Sequence, residues 1–340
     1  MKFLYNLIKI GGEVEMLSDE KVDVKENSIY NIDSNLLSIL LSDRTTGKNI
    51  LWATDMYESH GSNFSASSNI TIDQITGRNG QVIKPRTRKS KQEQNKRIKD
   101  KAEVFTPSWV CNEQNNLADS SWFGRENVFN KENGTTWITN KKKVSFSNSK
   151  TWIDYVKSRR LEISCGEAPY LVSRYDTVTG EVIPTNERIG LLDRKLRIVD
   201  ENTNSIEEWK QYVIEAYKSI YGYEWQGDSL LIARENLLYT YIDYYISKFK
   251  EKPLTDDLFK IAEIISWNIF QMDGLKYVVP NSCKNNVEIN YTLFGEEKIE
   301  TECLGCKKNN NNFHNGIYVR IMNWETNRTM KFINLVKKSK

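Results

Sequence analysis

Apolar runs are short throughout this 340-residue chain. None approaches the roughly 18 residues of a membrane-spanning helix, so a helical membrane protein is excluded and no membrane partner is expected. Histidine is scarce: His60 and His314 are the only two. His60 reads as a loop residue, and no nucleophile–base pair can be assembled around it. The five cysteines are an odd number in a long chain and do not make a secreted disulfide framework. Met1–Ile10 is interrupted by Asn6 and Lys9 and has no small-residue cleavage site, so no signal peptide is expected. A reducing cytoplasm is the implied compartment, where clustered cysteines suggest metal. Only six prolines are present, and no two are adjacent. Excess charge is lacking too: 48 Lys and Arg against 45 Asp and Glu leave +3, which alone gives no reason to expect a polyanion as partner.

What is present is an ordinary globular composition, 39% hydrophobic and 27% charged, in a chain long enough for one large α/β domain or two modest ones. Residues 1–83 alternate apolar runs (Leu36 to Leu41, Ile50 to Trp52) with polar turns and predict a mixed α/β extension. Within it, Thr45-Thr46-Gly47-Lys48-Asn49 reads as a turn rather than a phosphate loop. Ser42 stands where the first glycine belongs, and Asn49 where a magnesium-binding hydroxyl belongs.

The composition shifts between 84 and 101. Lys84, Arg86, Arg88, Lys89, Lys91, Lys96, Arg97, Lys99 and Lys101 face only Glu93 and Asp100, a local +7 that leaves −4 for the rest of the chain. Such a run is either a solvated linker or a strip that follows nucleic-acid phosphates through counterion release. On the second reading Lys84, Arg86, Arg88, Lys89, Lys91, Lys96 and Arg97 are the contacts.

Thr106 and Pro107 predict a helix start, as cap and first helical residue. An irregular insertion with aromatic anchors is expected over 112–150. From 205 the periodicity predicts helix, strand, helix, helix, strand: a helix capped at Ser205, a strand ending at Glu224, helices opening near Asp228 and Thr255, and a strand within Trp267–Asp273. That alternation predicts a doubly wound, mainly parallel sheet. Three turns then follow predicted strands, at Glu162 to Leu171, at Gly222-Tyr223-Glu224-Trp225 and at Asp273-Gly274-Leu275. Ligands of open α/β sheets sit beyond the strands' carboxyl ends. A small-residue turn admits a cofactor, one acid can hold both ribose hydroxyls, and another can meet an adenine amino group.

In order, Phe105-Thr106-Pro107, Leu161-Glu162-x-x-Cys165-Gly166-x-x-x-Tyr170-Leu171, Gly222-x-Glu224 and Asp273-Gly274-Leu275 resemble the S-adenosylmethionine half of adenine-specific DNA methyltransferases, restriction–modification subunits above all. The likeness spans about residues 100–280. It implies an S-adenosylmethionine-dependent methyltransferase fold over 102–280, with Phe105, Thr106, Pro107, Glu162, Cys165, Gly166, Ala168, Glu224, Trp225, Asp273 and Leu275 at the cofactor. It also implies duplex DNA as partner, in the cytoplasm of a bacterial or phage-infected cell. The sequence departs from the family in one respect: no Asn-Pro-Pro-Tyr loop follows a fourth strand, the predicted strand Met330–Val336 being followed only by a basic tail. Glu167-Ala168-Pro169-Tyr170 is superficially similar to that loop but lies in the cofactor turn. Three readings follow: an adenine methyltransferase whose loop is replaced or supplied by a second subunit, an inactive DNA-binding or regulatory relative, and an unrelated zinc-containing α/β protein.

Cys283, Cys303, Cys306 and His314 form a Cys-x19-Cys-x2-Cys-x7-His series over 281–318, with Gly305 inside the Cys-x-x-Cys knuckle. Thiolates two apart on a tight turn can share a tetrahedral zinc, and the polar Asn309–Asn312 surroundings cannot build a core alone. A structural zinc site is the expectation. A redox pair and unrelated thiols are the alternatives. Residues 319–340 are read as the terminal strand and tail.

Overall fold

The computed structural model describes residues 26–101, 103–147, 149–292 and 295–337. The readings of Met1–Ile10 and of the tail beyond Lys337 lie outside those residues. Two helices, α1 (Glu26–Ile32) and α2 (Ser34–Leu41), open the described chain. Asp33 caps α2 by accepting the Asn35 amide, and Leu36, Leu37, Leu40 and Leu41 bury its inner face. At the turn 43–49 the Asp43 carboxylate accepts the Thr45 and Thr46 amides, a side-chain-closed turn rather than a phosphate cradle. The chain then runs through the short α3 (Ile72–Ile75) into the basic helix α4 (Lys91–Lys101) and α5 (Ser108–Phe123).

Helix α5 begins one residue later than expected. Pro107 is its cap, and the first free amide, at Ser108, is taken by Asp176 at 2.8 Å. The supposedly irregular stretch 112–150 is therefore helical to Phe123, then forms a hairpin of β1 (Asn130–Asn133) and β2 (Thr136–Thr139). Trp122, Phe123, Phe129 and Phe146 gather around buried Tyr155 with tilted or edge-on rings, the geometry aromatic quadrupoles favour.

Next come α6 (Trp152–Lys157), β3 (Arg160–Glu162), α7 (Leu191–Asn202), α8 (Ile206–Lys218), β4 (Ile220–Glu224), α9 (Gly227–Phe249), α10 (Thr255–Asn268) and β5 (Ile269–Gln271). Strands β3, β4 and β5 form a parallel sheet in that order, so the crossovers run through helices as the alternation predicted. The architecture is mixed α/β around a small parallel sheet of three strands. Two expected boundaries move. Trp267 and Asn268 complete α10 before the strand starts, because the Ile269 amide still reaches back to Ile265. Asp228 lies inside the first turn of α9, whose cap is Gln226.

Residues 26–83 belong to the same core as the sheet. Leu36, Ile50, Trp52 and Ile70 pack in one cluster with Leu230, Ile265 and Ile269. Gly227 permits this closeness: a Cβ there would lie 1.9 Å from the Leu51 carbonyl oxygen. The Gln271 side chain fastens the same segment, accepting the Leu51 amide and donating to the Leu51 and Trp225 carbonyls, each at 2.8 Å.

Beyond the sheet lie the hairpin β6 (Asn286–Thr292) and β7 (Gly295–Thr301), the one-turn α11 (Leu304–Lys307), the hairpin β8 (Arg320–Asn323) and β9 (Arg328–Lys331), and α12 (Ile333–Lys337). The expected strand Met330–Val336 thus splits, strand to Lys331 and helix from Ile333. Phe270, Met272, Val279, Val319, Ile321 and Phe332 make a second, smaller core that joins this region to β5. No helix among the described residues is long and apolar enough to cross a membrane.

One buried pair makes stability depend on pH. Glu235, on α9, is fully buried, and neither of its carboxylate oxygens has a hydrogen-bond partner among the described residues. It faces Glu26 of α1, also buried, and burial pushes the Glu26 carboxyl up to about 8. A folded-state pKa above the unfolded one gives stability that is complete below about pH 4.5 and is lost as pH rises toward 8. Glu26→Gln should remove that residue's part of the loss, a decline of about 1.4 kcal/mol per pH unit over that window. Urea unfolding of both proteins at pH 5 and pH 8 checks it; parallel pH profiles would exclude Glu26 as the cause.

Candidate metal centre and strand-end turns

The carboxyl ends of β3, β4 and β5 bring the three predicted turns to one edge of the sheet. After β3 the backbone enters the left-handed region three times in five residues, at Ser164 (φ 48°), Gly166 (φ 53°) and Ala168 (φ 64°). Ala168 holds a conformation that costs a non-glycine residue about 1 kcal/mol or more. Within the turn, the Gly166 amide donates to Glu224 at 2.9 Å, so the end of β4 is tied directly to the turn after β3. Cys165 is buried behind it against Gly222, where an added Cβ would meet the sulfur at 3.2 Å.

The two acids are internal rather than solvated. Glu162 accepts the Leu171 amide at 3.2 Å and the Tyr170 amide at 3.4 Å. Burial nonetheless pushes it well above the usual carboxylate range, and Glu224 pushes the same way. Burial also raises Glu224, against the pull of the Gln226, Gly166 and Trp225 amides. Beside β5, Asp273 accepts the Leu275 and Lys276 amides at 2.9 and 3.1 Å. Exposed apolar side chains stand next to these acids: Ile163 (66%), Trp225 (36%) and Leu275 (83%). Phe105, Thr106 and Pro107 lead into α5. The Thr106 carbonyl accepts the Thr177 hydroxyl, and Phe105 lies under the Arg86 guanidinium at 4.5 Å.

The basic strip is a strap over these turns, which corrects two predicted phosphate contacts. Arg97 is buried between Asp228 (2.7 Å) and Glu103 (2.5 Å), and buried Lys89 points at Asp228 from 3.5 Å. Neither side chain can reach a phosphate while so placed, because burying a charge demands a paired partner and these have one. Burial opposes ionisation of Asp228, but Arg97 and Lys89 outweigh it and hold the carboxyl below its ordinary range. Arg86 is half buried, its backbone amide donating to Glu167 at 2.7 Å. Lys84 and Arg88 are half-buried, while Lys91, Lys96 and Lys99 are exposed. The sequence singled out the charge run but held no signal for Asp228, more than a hundred residues away, as its anchor.

Cys283, Cys303, Cys306 and His314 converge. Their ligand atoms all lie within 4.8 Å of one another. The Cys283, Cys303 and Cys306 sulfurs stand 3.6, 3.5 and 3.7 Å from His314 Nδ1, and Cys283 Sγ is 3.2 Å from Cys303 and 3.8 Å from Cys306. Ligands at tetrahedral zinc distances are about 3.5 to 3.8 Å apart, so the set can hold such a metal with little adjustment. Gly305 makes the knuckle possible: a Cβ there would sit 2.5 Å from both the His314 amide nitrogen and Nδ1. Asn311 Oδ1 lies 3.3 Å from His314 Nε2, which fixes the ring with Nδ1 facing the thiols. Burial raises the Cys303 thiol, yet the Cys306 amide, His314 and Cys283 overcome it and lower it to about 5, while burial and the hydrogen bonds to Cys303 and Cys306 push the Cys283 thiol up to about 12. Asn311, Lys276 and Tyr318 surround the cluster and had no signal in the spacing of the ligands.

The chain matches no family model, no curated protein and no solved structure.

Proposed function

We propose that this protein binds S-adenosylmethionine at the strand-end turns and DNA beside them, as a methyltransferase-like DNA-modification protein with a structural zinc. The observation that carries the proposal is the convergence at one sheet edge of the Gly166 turn, Glu224 and Asp273, with apolar Trp225 and Leu275 exposed next to the two acids. Those groups supply what an adenosine-containing cofactor needs: carboxylate acceptors for ribose hydroxyls and an amino group, and apolar surface against a purine face. The parallel order of β3, β4 and β5 supports reading the sheet as part of a doubly wound methyltransferase fold. The exposed Lys91, Lys96 and Lys99, with half-buried Lys84, offer phosphates a positive face.

Methyl transfer requires acceptors for the target amino group, and with no Asn-Pro-Pro-Tyr loop in the chain those fall to other residues or to a second subunit. The alternative is an inactive relative that binds DNA in restriction or phage–host conflict. Calorimetry with S-adenosylmethionine tests the cofactor: Glu224→Gln should weaken binding about 100-fold by losing a charge-assisted pair, and exposed Leu275→Ala should weaken it without altering stability. Absence of heat with the unmodified protein would defeat the reading. Transfer of labelled methyl groups to mixed-sequence duplex DNA then separates the active from the inactive form.

A further inference from the structure

Between the cysteine–histidine cluster and the strand-end turn at Asp273 runs an unbroken series of short contacts. At the cluster end, the Tyr318 hydroxyl accepts the His314 amide at 3.0 Å and donates to the Asn311 carbonyl at 2.6 Å, while Asn311 itself holds the His314 ring. Tyr318 is thus wedged into the loop that carries the histidine ligand. Its own backbone pairs antiparallel with Val278, flanked by Val319 donating to the Tyr277 carbonyl at 3.1 Å and Val279 donating to the Ile317 carbonyl at 2.8 Å. Val278 in turn pairs with Asp273: the Asp273 amide donates to the Val278 carbonyl at 2.8 Å, and the Tyr277 amide to the Asp273 carbonyl at 2.7 Å. The turn so closed is strained, with Tyr277 in the left-handed region at φ 61°. It presents Asp273 and the exposed Leu275.

We infer that metal bound by Cys283, Cys303, Cys306 and His314 sets the conformation of the Asp273–Val278 turn, with Tyr318 as the positioning residue between them. The inference rests on the cluster holding a metal and does not depend on which ligand the strand-end turns take. The physical reason is that the loop carrying His314 has little apolar packing of its own: Asn309, Asn312, Phe313 and Asn315 are exposed, and its order depends on the ligands being drawn together. When they separate, the Asn311 carbonyl and His314 amide no longer stand at hydrogen-bonding distance on either side of the Tyr318 hydroxyl. The 317–319 segment then loses the clamp that holds it against 277–279, and the strained turn loses its outer strand. This pairing couples metal binding to turn order beside a direct contact, the Lys276 side chain reaching Cys306 from within the turn.

A built-in control lies in the same region. Cys283 and Cys303 straddle the hairpin β6–β7, whose described side chains are all exposed, so metal removal should loosen that hairpin whatever happens to the turn. Hydrogen exchange read by mass spectrometry on the full chain, with metal content measured in parallel, provides the test. On chelation, peptides over 273–278 and over 286–301 should both exchange faster, by about ten-fold or more, and recover when zinc is returned, while α9 stays protected. Tyr318→Phe should keep its zinc and a protected 286–301 hairpin yet exchange faster over 273–278, a separation that general destabilisation does not produce. Loosening of the hairpin with an unchanged 273–278 on chelation would overturn the coupling, and a zinc-loaded Tyr318→Phe with a fully protected turn would overturn Tyr318 as its positioning residue. A chain that neither contains nor takes up zinc would overturn the metal beneath it, and metal analysis tells that failure from the others.

Discussion

Asp228→Ala is expected to destabilise the folded chain by about 3 kcal/mol, near the lower end of what breaking a buried ion pair costs. The carboxylate takes the Arg97 guanidinium at 2.7 Å, the Tyr57 hydroxyl at 2.7 Å and the Lys89 ammonium at 3.5 Å, all inside the protein. Among the described residues, removing it leaves Lys89 with no partner within salt-bridge distance and Arg97 with Glu103 as its acid, beside the Gln226 and Ser229 oxygens. The figure sits at the low end because that second acid still meets Arg97. The same change should release the 84–101 strap, so trypsin should cut there faster in the variant under native conditions. Urea unfolding measures the first effect, and a loss below about 0.5 kcal/mol would place Asp228 among ordinary surface residues.

Cys303→Ser should abolish metal binding while leaving the principal unfolding transition in place. Structural zinc supplies about 10–16 kcal/mol in small fingers that have no other core. Here the main core spans Ile29 to Ile269 and contains none of the four ligands, so the loss should be local. Metal analysis of protein purified without added metal should give about one zinc per chain for the unmodified protein and almost none for the variant. Exposed Lys284, Lys298 and Lys307 should become rapid tryptic sites in the variant. Equal metal content in the two proteins would remove Cys303 from the ligand set.

Much of the local structure could be read from residue order. The strand Ile220–Glu224, the Ser205 cap and the helix from Thr255 follow from periodicity and capping chemistry, which act within a few residues. The four residues of the candidate metal site were legible because coordination demands particular side chains whatever surrounds them. Long-range pairing was not legible. A run of lysines and arginines looks the same whether it faces water or Asp228, and the choice lies in the fold. Ala168 in a left-handed conformation carries no mark either, since the turn's hydrogen bonds impose it against the residue's own preference. Nor does periodicity fix the width of a sheet: three strands satisfy the same helix–strand alternation as a larger one.

The hairpin between Cys283 and Cys303 leaves the body and returns to it at sulfurs 3.2 Å apart, and the described side chains between Asn286 and Thr301 add nothing to either core. Its length is therefore free of the constraints that fix the rest of the chain. Lengthening a loop whose ends are already fastened adds only about 0.6 kcal/mol per doubling. This is the position at which a foreign peptide, an affinity tag or a fluorescent module can be spliced into the protein with least disturbance to the sheet.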